Sequence, residues 1–289
     1  MKIAISGSTG FIGKQLTDYL LKAGNEILMI TRRDFADPVN RLTKIVNSAD
    51  VIINLAGSSV LCRWNEKNMG QISSSRLETT RLLVNSLGKN SPLKSRKIFI
   101  NASAIGIYQD SGIHDEGSTA LGTDFLANLC KRWEQELEPL RDLDCRTSII
   151  RIGIVLGTSG GSLAKMLPIF KAGLGGKIGS GKQPFSFIHI ADFCRAIEHI
   201  ISNSQSSGIY NLVAPEFTTN EGLTKALAKS LHRPAIFSVP EFGLKFIYGK
   251  AAQLLTRGTA ARPQKLHNED FKFLFPDIST AISDLVSKD

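Results

Sequence analysis

Three glycines near the start of the chain have the spacing of a phosphate-binding turn. Gly7, Gly10 and Gly13 form a G-x-x-G-x-x-G motif that directly follows the apolar run from Lys2 to Ser6. The first glycine permits a tight bend, the second lets the backbone approach a pyrophosphate, and the third lets a helix pack closely on a sheet. The amides that open such a helix attract phosphate. We therefore expect a dinucleotide to contact Gly7, Thr9, Gly10, Phe11, Ile12 and Gly13.

Two arginines at the end of the second predicted strand indicate which dinucleotide binds. A site that prefers NAD usually carries Asp or Glu there, to accept a hydrogen bond from the ribose 2′-hydroxyl. This chain has Thr31, Arg32 and Arg33 instead, and its next carboxylate is that of Asp34. Guanidinium groups attract a 2′-phosphate and can bind it through two hydrogen bonds. These residues favour NADP over NAD as the cofactor.

A third predicted strand, from Asp50 to Leu55, leads into the segment Asn54-Leu55-Ala56-Gly57. Small residues at the end of a strand let the chain pass close to the adenosine half of a dinucleotide. We therefore expect further cofactor contacts from Leu55, Ala56 and Gly57.

The elements that must position these residues alternate between strands and helices. Apolar runs predict strands at 2–6, 26–31, 50–55, 97–102 and 146–151, and helical periodicity predicts helices at 11–23, 65–87 and 122–140. Strands that alternate with helices predict an α/β fold with a parallel, doubly wound Rossmann sheet. We assign residues 1–152 to this dinucleotide-binding domain and expect part of 186–215 to complete its sheet.

In residues 153–289 predicted strands and helices no longer alternate regularly, and we expect these residues to form a smaller lobe on the substrate side. Glycines are frequent between 157 and 185, which predicts long loops around a helix at 162–171. Loops of this length often shape a binding site. The remaining predicted elements are helices at 190–202 and 220–231, a strand at 209–213, and one or two helices within 240–289.

The composition excludes several other classes of protein. The 289-residue chain is 42% hydrophobic and 21% charged, as in a folded enzyme and unlike a disordered chain. Its net charge of +9 comes from dispersed lysines and arginines, so we expect no nucleic-acid partner. The four cysteines form no metal-binding or disulfide pattern, and no apolar run is long enough to cross a membrane. We expect a small-molecule substrate, a reducing cytoplasmic location, and no metal or membrane partner.

Many separate blocks, in order along nearly the whole chain, resemble the extended short-chain dehydrogenase/reductases. More narrowly, they resemble the YfcH-like epimerase family, an atypical branch whose members are described as nucleoside-diphosphate-sugar epimerases. The blocks include 7–13, 54–57, 63–65, 75–80, 101–108, 124–134, 151–156, 165–168, 173–183, 188–192, 211–215, 262–266 and 271–276. The resemblance implies that Arg76 contacts the cofactor and that the helices at 65–87 and 122–140 could form a homodimer. The short stretch between Arg33 and Asp50 further implies that the superfamily's usual third strand is missing or degenerate.

The same resemblance shows which catalytic residues are absent. Short-chain dehydrogenases use a Ser or Thr together with a Tyr-x-x-x-Lys pair, in which the lysine lowers the pKa of the tyrosine. None of the four tyrosines has a lysine four residues further on, and Leu126 and Cys130 align with the pair. Ser103 matches the superfamily's serine and is expected beside the nicotinamide, and Tyr108 is the substitute acid to consider first. The further candidates are Lys131 and His189.

Three functions fit these residues. The first is an NADP-dependent oxidoreductase with a non-standard acid, acting on a small carbonyl or sugar-type substrate, and we rank it first. The second is a nucleoside-diphosphate-sugar epimerase or dehydratase, which the resemblance suggests but the absent tyrosine disfavours. The third is an NADP(H) sensor without turnover. The absent Tyr-Lys pair favours a sensor, whereas the glycine-rich substrate-side blocks disfavour it.

Overall fold

The computed structural model describes residues 1–88 and 96–287. The first half of the chain contains β1 (Lys2–Ser6), α1 (Phe11–Lys22), β2 (Glu26–Ile30), α2 (Arg32–Ala36), α3 (Thr43–Ser48), β3 (Val51–Asn54), α4 (Glu66–Gly88), β4 (Lys97–Ala104), β5 (Ile113–His114), α5 (Phe125–Gln135) and β6 (Cys145–Ile152). The second half contains β7 (Ile154–Leu156), α6 (Gly161–Lys171), β8 (Gly176–Ile178), β9 (Phe187–His189), α7 (Ile190–Ser202), β10 (Gly208–Leu212), α8 (Asn220–Leu231), β11 (Phe237–Val239), α9 (Glu241–Tyr248), α10 (Gln253–Thr256), β12 (Ala260–Ala261), α11 (Gln264–Asn268) and α12 (Ile278–Ser287).

Six parallel strands form the central sheet, in the order β10-β6-β4-β3-β1-β2. From β1 the chain moves first to β2 on one side and then to β3 on the other side. This reversal opens a crevice at the carboxyl ends of β1 and β3, where doubly wound sheets bind their ligands. The arrangement confirms the predicted α/β Rossmann fold, and the last strand of the sheet comes from the second half of the chain.

The sheet is buried on both faces, which explains its continuous apolar runs. In β1, Ile3 and Ile5 contact one hydrophobic core, whereas the intervening Ala4 contacts the core on the opposite face. Helices α1 and α7 cover the first face, and α3 and α4 cover the second. Since side chains alternate along a strand, a strand with helices on both sides must be apolar at every position.

Three features differ from the sequence-based expectations or sharpen them. The predicted helix at 122–140 was too long at both ends. The side chain of Asp124 caps the start of α5 by accepting from the Ala127 amide. The chain changes to a 3-10 turn at Glu138–Asp142, where Pro139 has no N–H to continue the helical hydrogen bonds. The tail contains four helices, α9 to α12, where one or two were expected. Between Arg33 and Asp50 the described chain is helical, so β2 is the edge of the sheet and no strand lies beyond it.

A buried carboxylate attaches the C-terminal segment to the rest of the protein. Asp192, near the start of α7, is fully buried and accepts hydrogen bonds from the backbone amides of Leu274 and Phe275 at 2.9 Å each. Arg195 pairs with the same carboxylate at 3.0 Å and donates to the Lys272 carbonyl. Helix α12 then packs on α8 within a second apolar core. Asp192 thus holds the segment that leads into α12.

In the part of the chain that the structure describes, no helix combines the length and the apolar character needed to cross a bilayer. Nor does this part hold a group of three or more His, Cys, Asp or Glu side chains arranged to bind a metal ion.

We predict that Asp192→Ala lowers the free energy of unfolding by about 3 kcal/mol, because two buried amides lose their acceptor. Urea unfolding followed by circular dichroism measures the change. Asp18→Ala is the matched control, since Asp18 is exposed on α1 and its loss should alter stability by less than about 0.5 kcal/mol. Equal stability of the two variants would show that Asp192 does not hold the C-terminal segment.

Candidate functional site

The glycine turn has no room for side chains at its two ends. Gly7 has φ +77°, and a Cβ there would lie 2.7 Å from the Leu55 carbonyl oxygen. A Cβ on Gly13 would lie 2.1 Å from the Gly7 oxygen, so α1 approaches the end of β1 more closely than any other residue would allow. Gly10 donates its amide to Gly7 and precedes the first turn of α1. The turn is therefore a backbone cradle with the free amides of α1 at one side, which fits a pyrophosphate.

A cavity of about 730 Å³ lies over this turn. Eight of the residues expected to bind the cofactor line it, namely Gly7, Thr9, Gly10, Thr31, Arg32, Leu55, Ala56 and Gly57. The lining also includes residues that the sequence analysis missed: Ser8, Ile30, Phe35, Ser58, Gln71, Ser74, Ser75 and Thr79. Several of these come from α4, and the S-x-x-x-T spacing of Ser75 and Thr79 on one helix face is the signal that could have identified them.

Two of the expected cofactor residues pack inside the protein. Phe11 lies against a loop of glycines, because a Cβ on Gly157 or Gly160 would come within 2.7 to 2.8 Å of its side chain. Ile12 packs on the main hydrophobic core. Both residues still place their backbone amides at the opening of α1, so any phosphate contact from them would come from the backbone.

The two arginines and the carboxylate that follow β2 lie in different surroundings. Asp34 is buried in a capping box, where its Oδ2 accepts from the amide and the hydroxyl of Thr31 at 2.8 and 2.6 Å. Arg41 Nε donates to its other oxygen at 3.1 Å. Burial acts to raise the pKa of Asp34, but these hydrogen bonds outweigh it and lower that pKa overall. Arg32 is exposed and lines the cavity, whereas Arg33 is exposed outside the lining.

Arg76 lies beneath the turn that follows β3. Its guanidinium lies 5.3 Å from the ring centre of Trp133 and donates a hydrogen bond to the Ile72 carbonyl. It also lies so close to Gly57 that a Cβ added there would be 2.9 Å from it. Burial lowers the pKa of this guanidinium. No carboxylate within the described ranges lies close enough to form an ion pair with it. A partly buried cation without a carboxylate partner is costly, so this position is suited to an anionic or strongly polar ligand.

A chain of hydrogen bonds connects Ser103 with Tyr108 at the carboxyl ends of β4 and β6. Ser103 donates to Glu134 Oε1 at 2.6 Å, and Arg151 pairs with both oxygens of the same carboxylate at 2.9 and 2.8 Å. Arg151 also donates to the Tyr108 hydroxyl at 2.8 Å, and Tyr108 donates to Asn211 at 2.9 Å. Tyr108 is only 2% exposed, its ring stacks on His114, and burial raises the pKa of its hydroxyl.

A second cavity, of about 220 Å³, begins two residues beyond Ser103. Its walls are mostly apolar and include Ile105, Leu126, Ile154, Met166, Phe185 and Leu223. Polar groups at its margin are those of Asp110, Asp124, Ser162, Gln183, Asn220 and Arg257. Leu126, which aligns with the superfamily's tyrosine, therefore faces this space with an aliphatic side chain.

The remaining candidates have structural partners. Cys130, at the position of the superfamily's lysine, is buried, and burial raises the pKa of its thiol to about 11, so it is neutral at physiological pH. Lys131 donates to the Gly122 carbonyl at 2.7 Å. His189 caps α7 by accepting from the Ala191 amide, and its other ring nitrogen lies 3.2 Å from Asp284.

The chain matches a family model and several known proteins. The model of the NAD-dependent epimerase/dehydratase family covers residues 3–212, and that of a domain of unknown function, DUF1731, covers 239–285. The epimerase family protein SDR39U1 of Bos taurus is 33% identical over 99% of this chain and 100% of its own, and the epimerase family protein YfhF of Bacillus subtilis is 33% identical over 99% and 98%.

A solved structure of a relative has the same fold throughout. The crystal structure of human SDR39U1 (isoform 2) with NADPH superimposes with a TM-score of 0.90 at 30% identity and covers 99% of both chains. These matches confirm the resemblance found in the sequence blocks. The chain belongs to the NAD-dependent epimerase/dehydratase family.

Proposed function

We propose that this protein binds NADP(H) and uses it to oxidise or reduce a small, largely apolar carbonyl compound or alcohol. The observation that carries the proposal is the position of two cavities at one sheet edge. The first covers a phosphate-type glycine turn and has Arg32 in its lining, and the second is mostly apolar and begins at Ile105, two residues beyond Ser103. When bound, the dinucleotide would supply or accept a hydride at its nicotinamide ring.

The preference for NADP follows from how the carboxylate and the arginines are placed. Asp34 is buried, and Thr31 and Arg41 already occupy three of the acceptor positions of its carboxylate, so it is poorly placed to bind a ribose hydroxyl. Arg32 has no ion-pair partner among the described residues and faces the cavity, so it can bind a 2′-phosphate. The NADPH in the human relative supports the same choice.

Arg76 would supply the positive charge that Cys130 cannot. Helices α4 and α5 contact one another, and the charge of Arg76 is close enough to Cys130 to act on its thiol. The superfamily's lysine would project from α5, and here a guanidinium from α4 reaches the same region. We propose that Arg76 binds the pyrophosphate or ribose on the nicotinamide side.

Ser103 would donate a hydrogen bond to the substrate oxygen in place of Glu134. Tyr108 has both an acceptor and a donor partner inside the protein, so we propose that it positions Arg151 and Glu134 and does not itself touch the substrate. The apolar walls of the second cavity favour a small carbonyl compound over a nucleoside diphosphate, which needs polar partners along its length.

Two wider proposals accompany this function. We place the protein in the cytoplasm, because all four cysteines are free thiols, which suits a reducing compartment. A homodimer through α4 and α5 stays a prediction.

We predict that Arg32→Ala weakens NADPH binding about ten- to a hundred-fold, because one charged contact to the 2′-phosphate is lost. NADH binding should change by less than about three-fold, since NADH lacks that phosphate. Fluorescence titration with both nucleotides measures the dissociation constants. Arg33→Ala is the matched control and should leave NADPH affinity nearly unchanged. If Arg32→Ala weakens both nucleotides equally, Arg32 does not bind the 2′-phosphate.

We predict that Arg76→Met weakens both NADPH and NADH by about ten-fold or more, because the partly buried cation proposed to bind the cofactor is lost. Arg76→Lys should recover part of the affinity. Arg81→Met on the same helix is the control, since Arg81 is exposed and pairs with Glu136. Calorimetric titration measures the affinities. Unchanged binding by Arg76→Met would leave Arg76 with a packing role only.

A panel of small ketones and aldehydes, with a nucleoside-diphosphate sugar included, tests the reaction through the absorbance of NADPH. We expect turnover with apolar carbonyl compounds. Ser103→Ala should reduce kcat/KM about a hundred-fold, because a donor to the substrate oxygen is lost, and Tyr108→Phe should retain kcat/KM within about five-fold with an unchanged pH profile.

Three other outcomes of the panel would replace this proposal. Loss of turnover in a folded Tyr108→Phe protein would make Tyr108 the acid. Turnover of the sugar nucleotide alone would favour an epimerase or dehydratase. Tight NADPH binding without any turnover would favour a sensor.

A further inference from the structure

Five large apolar side chains form a projecting group on the C-terminal lobe, which we call the apolar tip. They are Ile236, Phe237, Phe242, Phe246 and Ile247. Ile236, Phe242 and Phe246 are 82%, 76% and 80% exposed, values that leave these side chains almost entirely in solvent. Exposed apolar residues are common one at a time, but five of them within residues 236–247 indicate an interaction surface.

Two short elements hold the apolar tip together. Strand β11 pairs in parallel with β8, and the single residue Pro240 joins β11 to α9. Phe242 and Phe246 are four residues apart on α9 and so lie on the same face of the helix.

The backbone of α9 is fixed to the rest of the protein on its far side. Arg63 donates from Nη2 to the Phe246 carbonyl at 2.6 Å and from Nε to the Ile247 carbonyl at 3.2 Å. None of the residues of α9 is buried, although the helix is strongly apolar. Its attachment through carbonyl groups therefore leaves the apolar side chains pointing outwards.

The segments around the apolar tip are almost free of acidic residues. Between Gly157 and Phe187 the sequence contains four lysines and neither Asp nor Glu. Between Asn220 and Asn268 it contains eight lysines and arginines and two carboxylates, which are Glu221, paired with Lys225 at 2.9 Å, and Glu241. Glu241 pairs only loosely with Lys245, at 3.9 Å, and both side chains are exposed. The segments that carry and adjoin the apolar tip thus have more positive than negative charge.

The sequence alone led us to expect no membrane partner, but we propose that the apolar tip docks on the surface of an anionic lipid bilayer, with its aromatic and aliphatic side chains below the headgroups and the neighbouring lysines and arginines against the lipid phosphates. Basic residues around apolar side chains are the pattern by which proteins bind at the interface of such membranes. A second copy of the chain fits less well, because a symmetric contact would bring the same positive charges together.

If the apolar tip docks on a bilayer, a cavity that adjoins the apolar cavity would lie near the lipid. Glu241 and Lys245 of α9 line a third cavity, of about 880 Å³, which shares Asp124, Gln253 and Arg257 with the apolar cavity. The docking proposal does not depend on the proposed reaction, and it can be tested without any substrate.

Flotation of the full chain with lipid vesicles tests the proposal. The wild type should float with vesicles of phosphatidylglycerol and phosphatidylcholine in equal parts at low salt. It should stay unbound with pure phosphatidylcholine, and high salt should release it from the anionic vesicles. The double variant Phe242→Ser/Phe246→Ser should bind the anionic vesicles at least about ten-fold more weakly, because it lacks two aromatic rings that the wild type would bury in the bilayer.

Two further variants complete the test. Arg233→Glu/Lys245→Glu should also detach the protein, because the lipid phosphates would then face negative charge. Phe217→Ser is the matched control, since Phe217 is 57% exposed but lies outside the apolar tip, and it should bind as the wild type does. Circular dichroism and thermal unfolding check that each variant is folded.

Several results would overturn the proposal. They are an absence of vesicle binding, equal binding to neutral and anionic vesicles, and unchanged binding by the serine double variant. Sedimentation equilibrium distinguishes the remaining alternative. A wild-type dimer that the serine double variant converts to monomers, without vesicle binding, would assign the apolar tip to self-association.

Discussion

The buried side chain of Asn54 is the interaction on which the site depends. Its two N–H groups donate to Thr80 and Asn101 at 2.8 and 2.7 Å, and its oxygen accepts from the Ser6 hydroxyl at 2.6 Å and from the Ala56 amide at 3.3 Å. All its hydrogen-bonding capacity is used, in a fully buried position. The side chain of Asn54 therefore connects the carboxyl ends of β1, β3 and β4, and it also holds the chain that follows β3.

That constraint reaches the helices on either side of the crevice. Thr80 lies on α4 and also accepts a hydrogen bond from the indole of Trp133 on α5, at 2.7 Å. Trp133 in turn lies against the guanidinium of Arg76. The strand ends and helices α4 and α5 are thus connected through polar groups that cannot move separately without leaving a buried donor or acceptor unpaired, and Arg76 lies against this network.

Two arginines of this region, the buried Arg151 and the partly buried Arg76, serve different purposes. Arg151 is held by both oxygens of Glu134. Burial acts to lower the pKa of Arg151, but the hydrogen bonds and charge of Glu134 outweigh it and raise that pKa. Arg76 has no such partner in the described part of the chain, and burial lowers its pKa. A cation already neutralised by a carboxylate organises the protein, whereas one without a carboxylate remains available to a negatively charged ligand.

The sequence by itself determined the fold class, the turn and the elements around it, because these depend on local features: three glycines at fixed spacing, alternating apolar runs and helical periodicity. It also indicated NADP through Arg32, since charge near a strand end can be read from neighbouring residues. Only the tertiary structure decided which of the adjacent Arg32 and Arg33 faces the cavity, and that Asp34 is occupied by Thr31 and Arg41. It also decided that the Tyr108 hydroxyl is enclosed by Arg151 and Asn211, and that Leu126 faces an apolar space. These facts depend on side chains brought together from distant parts of the chain, and no local pattern encodes such contacts.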